Sequence, residues 1–204
     1  MFKSFKNWLN EREEPRQGRG FNDIEEEEEP LYGCIMMNAD INDWTEFHLS
    51  GIDEEDLYEK NSDDSYGLEE TPHLTVLYGI HEDEIDPKIV EQLIRENMKY
   101  MILEVSSIGV FEGEEYDVVK YDLPLTRQLQ RYRDLFLKLP NTQDFTDYNP
   151  HMTIAYVKPG KGEKYGRELS EPFKVRFNKA VYSYHPDPDN NPDETKTKII
   201  SLEK

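Results

Sequence analysis

Two stretches decide the reading of this chain: Pro72-His73-Leu74-Thr75-Val76-Leu77-Tyr78 and Pro150-His151-Met152-Thr153-Ile154-Ala155-Tyr156. Pro, His, Thr and Tyr recur at identical offsets with apolar residues between them. In each copy the proline restricts the approach and an apolar run follows, which reads as a strand. Alternation along a strand puts His73, Thr75 and Leu77 on one face and Leu74, Val76 and Tyr78 on the other. The second copy sorts likewise, with His151, Thr153 and Ala155 set against Met152, Ile154 and Tyr156. Each strand therefore offers an imidazole and a hydroxyl, with Cα atoms roughly 7 Å apart by the strand rise. Two such strands facing across a cleft gather two His and two Thr around one anion.

That set suits phosphodiester cleavage. The reaction needs a base for the attacking oxygen and an acid for the leaving one. Imidazole, with an ordinary pKa near ~6.5, serves either role close to neutrality. Thr hydroxyls donate hydrogen bonds to nonbridging phosphate oxygens. Zinc is the competing chemistry, but the remaining histidines, His48, His81 and His185, make no close metal-ligand spacing, and zinc has no use for a duplicated Thr.

Outward from the repeats, Tyr32 to Met37, Leu74 to Ile80, Met101 to Val110, Tyr116 to Leu123 and Met152 to Val157 read as strands. Phe173 to Phe177, Ala180 to Tyr184 and Lys196 to Leu202 read as closing strands. Helical spacing favours helices over Pro87 to Tyr100 and over Leu125 to Leu139, the second with Leu129, Tyr132, Leu135, Phe136 and Leu139 on one stripe. Thr45 to Tyr58 is an acidic, turn-rich connection. Residues 1–30 read as an appendage: a short amphipathic helix carrying Phe2, Phe5, Trp8 and Leu9, then a flexible linker ending in Glu25 to Glu29. The domain proper is expected over 31–204. Asp187, Asp189 and Asn191 are spaced like calcium-loop ligands, but Pro192 stands where such a loop needs glycine, so Pro186 to Glu194 reads as a hairpin connection.

The 204 residues carry 44 acids against 24 bases, a net charge of −20. Such a balance opposes binding to duplex nucleic acid or to an anionic membrane, which runs on Lys and Arg. The single cysteine, Cys34, excludes an internal disulfide or a multi-cysteine metal cage. No apolar run approaches a membrane span and Met1 to Leu9 has no secretory h-region, so a cytoplasmic protein is expected. The charge is uneven: residues 1–70 hold 21 acids and 6 bases, whereas 151–180 hold three acids and seven bases. That basic island suits an anionic ligand of limited size.

The two His-x-Thr strands resemble the hallmark of the 2H phosphoesterase superfamily. Tyr32-Gly33-Cys34-Ile35-Met36, Tyr66-Gly67-Leu68-Glu69-Glu70, the run Tyr116 to Asp122, and Asp147-Tyr148-Asn149-Pro150 leading into Lys158-Pro159-Gly160 resemble the phage anti-CBASS branch, over residues 31–202. The resemblance implies a bilobal α+β fold, with two antiparallel sheets around a central cleft, pseudo-twofold symmetry and flanking helices. It implies metal-independent cleavage, without cofactor, of 3′–5′ bonds in cyclic di- and trinucleotide messengers, silencing a bacterial host's antiviral signal. His73, Thr75, His151 and Thr153 carry over as the catalytic set, with a ribose 2′-hydroxyl as nucleophile. Which His is acid and which is base stays open. Tyr32 is a candidate for stacking on a nucleobase, Lys158 and Lys161 for a second phosphate, and Trp44 for a lid over the cleft. The expected partner is a small cyclic oligonucleotide, with no obligate protein partner. Alternatives are RNA ends bearing a 2′,3′-cyclic phosphate, 2′–5′ linkages, or a sponge that binds cyclic nucleotides without cleaving them.

Overall fold

A computed structural model describes residues 32–40, 51–59, 66–142, 147–185 and 195–203. The leader, Trp44 and the 186–194 loop lie outside them. The described residues form seven strands and two α-helices: β1 (Tyr32–Ala39), β2 (His73–His81), α1 (Pro87–Asn97), β3 (Met101–Phe111), β4 (Asp117–Asp122), α2 (Arg127–Phe136), β5 (His151–Val157), β6 (Arg167–Tyr184) and β7 (Lys196–Ser201). The expected α+β class holds. Among the described residues no helix is long and apolar enough to cross a membrane.

All strand pairings are antiparallel, in the order β2-β1-β6-β3-β4-β5, with β7 also on β6. The two expected sheets are thus two halves of one hydrogen-bonded sheet that share β6. Residues 177–183 of β6 pair with β1, whereas 167–177 pair with β3. The closing strands read separately from sequence, Phe173 to Phe177 and Ala180 to Tyr184, are one 18-residue strand, and part of the basic island is its first turn of ladder. Polar residues break the apolar alternation there, because the first half of β6 stays largely exposed while the second is buried. The repeated strands β2 and β5 terminate the two halves, and they pack against each other.

Both helices begin as their sequences dictate. Pro87 occupies the first turn of α1, and the Asp86 carboxylate caps it by accepting from Lys88 N at 2.9 Å. Thr126 caps α2 by accepting from Leu129 N at 3.2 Å. Val90 and Ile94 of α1 and Leu129, Tyr132 and Phe136 of α2 are buried in the core, each such side chain contributing about 1.5–3 kcal/mol. Ile89, at helical spacing in the sequence, stands half exposed on the outer side of α1. The main core lies on the sheet face carrying Ile35, Met37, Leu74, Leu77, Tyr121 and Met152.

Candidate active site

The face opposite the core holds the motif residues. In β2, His73, Thr75 and Tyr78 lie across from Asn38, Met36 and Cys34 of β1. In β5, His151, Thr153 and Tyr156 lie across from Asp122, Lys120 and Val118 of β4. Simple alternation puts both tyrosines on the other face; the register corrects that. The pairing skips one residue between Thr75 and Leu77, at Val76, and one between Thr153 and Ala155, at Ile154. Each is a β-bulge, which advances the strand by one residue and so reverses the facing of everything beyond it. Leu77 and Ala155 turn into the core, and Tyr78 and Tyr156 turn to the side of His and Thr.

The histidines are held alike. Nδ1 of His73 is 2.8 Å from the Thr71 carbonyl, and Nδ1 of His151 is 2.8 Å from the Asn149 carbonyl. A carbonyl only accepts, so Nδ1 carries hydrogen in both rings and Nε2 is the atom that gains or loses the working proton. Both rings are half-buried, Thr153 is buried and Thr75 is half-buried. Burial pushes the His151 imidazole down to about 4; the Asn149 carbonyl opposes this, neighbouring Lys120 and His73 add to it, and Asp122 opposes it. β2 and β5 pack against each other, which sets the two repeats side by side.

Several site residues carry no mark in the motif. Lys120 is 5% exposed, pairs with the Asp122 carboxylate and lies 4.2 Å from the centre of the Phe111 ring. Phe111 in turn meets the His151 ring edge-on at 5.0 Å. A lysine inside the apolar run Val118 to Tyr121 was the available signal, since a buried strand carries a cation only when something pairs with it. Behind Tyr156, Tyr58, Tyr66 and Tyr116 form a packed aromatic cluster.

The other expected site residues among those described lie toward the far ends of the motif strands. Tyr32, at the start of β1, meets Tyr78 edge-on at 5.9 Å and His81 at 5.8 Å. Lys158 and Lys161 follow β5. Lys158 Nζ donates to the Glu55 carbonyl at 2.6 Å, and Lys161 Nζ is 3.8 Å from the Asp56 carboxylate. The basic island is therefore knit to the acidic turn 53–56. Trp44 falls outside the described residues.

Residues 41–181 match the family model described as the 2′-5′ RNA ligase superfamily. No curated protein sequence matches the chain. Among solved structures, Escherichia coli LigT complexed with 3′-AMP is similar at a TM-score of 0.56 and 11% identity, over 86% of this chain and 100% of that one. A structure described as a phosphoesterase is similar at a TM-score of 0.51 and 12% identity, over 86% of this chain and 100% of that one. At such identities the likeness is one of fold.

Proposed function

Because the chain belongs to the 2′-5′ RNA ligase superfamily of 2H phosphoesterases, we propose that it cleaves 3′–5′ bonds of cyclic di- and trinucleotide messengers. The observation that carries this reading is the matched pair of bulged strands, which present two imidazoles with identical Nδ1 tethers beside two Thr hydroxyls. One imidazole takes the proton of a ribose 2′-hydroxyl, whose oxygen attacks the adjacent phosphorus. The bond to the 5′ oxygen breaks, and the other imidazole delivers a proton to that oxygen. The products are a 2′,3′-cyclic phosphate and a 5′-hydroxyl on a linear chain. Thr75 and Thr153 donate to the nonbridging oxygens as charge builds on them.

A compact cyclic ligand fits the charge better than long RNA does, because a chain at −20 has one local basic segment instead of a broad basic track. Tyr32 serves as the nucleobase platform, and Lys158 and Lys161 meet a second phosphate in competition with Glu55 and Asp56. Trp44 keeps the role of a lid. In this reading the protein is an anti-CBASS enzyme of a phage, works in the bacterial host's cytoplasm, and needs neither cofactor nor protein partner. A second reading, action on RNA ends, draws on the 3′-AMP bound by the similar E. coli protein.

Incubation with a panel of cyclic di- and trinucleotides in excess EDTA, followed by chromatography, tests the proposal. Linear products from the wild type, absent with His73→Ala and His151→Ala, are expected. Cyclic nucleotides left intact while RNA 2′,3′-cyclic phosphate ends are opened would favour the second reading. Retention of uncleaved ligand would mean a sponge.

A further inference from the structure

The two halves of the site match in their motif residues and differ in what faces them. Asn38 and Met36 lie across from His73 and Thr75, whereas Asp122 and Lys120 lie across from His151 and Thr153. Along the ladder, β1 thus sets neutral side chains opposite its motif, whereas β4 sets an ion pair of a buried lysine and a partly exposed carboxylate.

That pair is built in. Ser107 Oγ donates to Asp122 Oδ2 at 3.2 Å, and the ammonium of Lys120 rests on the Asp122 carboxylate and the face of Phe111. Gly109 stands directly across β3 from Lys120. A Cβ there would sit 2.8 Å from Lys120 Nζ and 2.5 Å from Asp122 Oδ2, so the missing side chain is the space in which the pair lies. Phe111 links the arrangement to the reacting ring, lying under the Lys120 ammonium and perpendicular to the His151 ring.

We infer that Lys120 is a positioning residue that acts through His151, making His151 the proton acceptor and leaving proton donation to His73. The inference rests on the phosphodiester reading above. Lys120 and a protonated His73 oppose an imidazolium at position 151, while the Asn149 carbonyl and Asp122 favour it. Burial of the ring disfavours the imidazolium most, and Lys120 adds to it, while Asp122, paired with Lys120 and accepting from Ser107, opposes it less. A ring kept neutral is poised to accept a proton. In the other half, Met36 and Asn38 supply no such charge.

An activated substrate separates the two roles. Adenosine 3′-(4-nitrophenyl phosphate) expels 4-nitrophenolate, which needs no proton, so a missing acid matters little and a missing base still matters. The expected result is that His73→Ala cleaves this ester within about tenfold of the wild type, whereas His151→Ala loses on the order of 10²–10⁴. His151→Ala being the spared variant, or both being equally dead, would overturn the assignment. The ion pair is tested separately by NMR titration of the His151 ring. In Lys120→Met its midpoint rises by about one unit or more, and the acid limb of kcat/KM rises with it. Asp122→Asn, a second variant should Lys120→Met fail to fold, moves the midpoint down. An unmoved midpoint in both refutes the role of the pair. A wild type inert toward both the aryl ester and the cyclic nucleotides would instead sink the phosphodiester reading itself.

Discussion

Arg133, buried on α2, donates through Nη1 to the carbonyl of Val76 at 3.0 Å, the bulge residue of the first motif strand. Its guanidinium lies 4.1 Å from the centre of the Tyr148 ring, and Tyr148 donates its hydroxyl to the Thr75 carbonyl at 2.7 Å. Tyr148 belongs to the segment leading into the second motif. The reciprocal contact exists too: Glu69 N, in the segment leading into the first motif, donates to the carbonyl of the other bulge residue, Ile154, at 2.9 Å. Each bulge is thus braced from the approach to the other, which couples the two halves through the backbone that aims His and Thr.

Arg133→Met keeps most of the stem but leaves the Val76 carbonyl short of its charged donor, at a cost of about 1–3 kcal/mol. Urea unfolding should show that loss, and turnover should fall further than ligand affinity because Thr75 is displaced. Tyr148→Phe should cost less, about 1 kcal/mol, and the double variant should fall short of the sum since both groups hold adjacent carbonyls. Full additivity would mean that the two braces act independently.

The threonines allow a cleaner substitution. Thr75→Val and Thr153→Val preserve shape and suit a strand, so thermal unfolding should change little. In the proposed reaction each removes one donor to the phosphate, and turnover should drop on the order of 10²–10³ for each. A drop of less than about threefold in either variant would take that hydroxyl out of the reaction.

Much of the arrangement was legible in the sequence, and the omissions have physical causes. Alternation located both motif strands and put His and Thr side by side, because two residues along a strand share a face. It misplaced Tyr78 and Tyr156, since a period of two has no term for an inserted residue. The odd spacing from Thr to Tyr, repeated in both copies, was the trace of the bulge. Helix α2 was placed by its stripe of Leu129, Tyr132 and Phe136, yet Arg133 on the same turn gave no hint of burial, because its partners, Val76 and Tyr148, are remote in sequence. The asymmetry between Met36 and Lys120 was equally hidden, since it appears only once the strand register says which residue faces which.

The low proton affinity of His151 has a consequence for folding. Its ordinary value is 6.5 and its folded value about 4, so between these the unfolded chain binds the extra proton. Stability contributed by the neutral ring is therefore present above pH 6.5 and is lost as pH falls toward 4. For a half-buried ring the loss is on the order of 2 kcal/mol. Urea midpoints measured from pH 7 down to pH 5 should fall more steeply for the wild type than for His151→Asn, which cannot take up the proton. Parallel slopes would show that the folded ring titrates normally.

The acidic turn provides a further test, because it competes for the lysines assigned to the ligand. The Asp56 carboxylate accepts from the Tyr165 hydroxyl at 2.6 Å and pairs with Lys164, and these partners hold it below the usual carboxylate range. Lys161 stands 3.8 Å from the same carboxylate. Asp56→Asn should lower the melting temperature by loosening the 53–56 turn, yet it releases Lys161 and should lower KM for a cyclic trinucleotide. Lys161→Gln should raise KM with kcat unchanged, and added salt should erase the difference from wild type, since the contact is an exposed ionic one. Opposite movements of KM in the two variants would place Lys161 on the ligand. An unchanged KM in Lys161→Gln would restrict the basic island to holding the acidic turn against the end of β5.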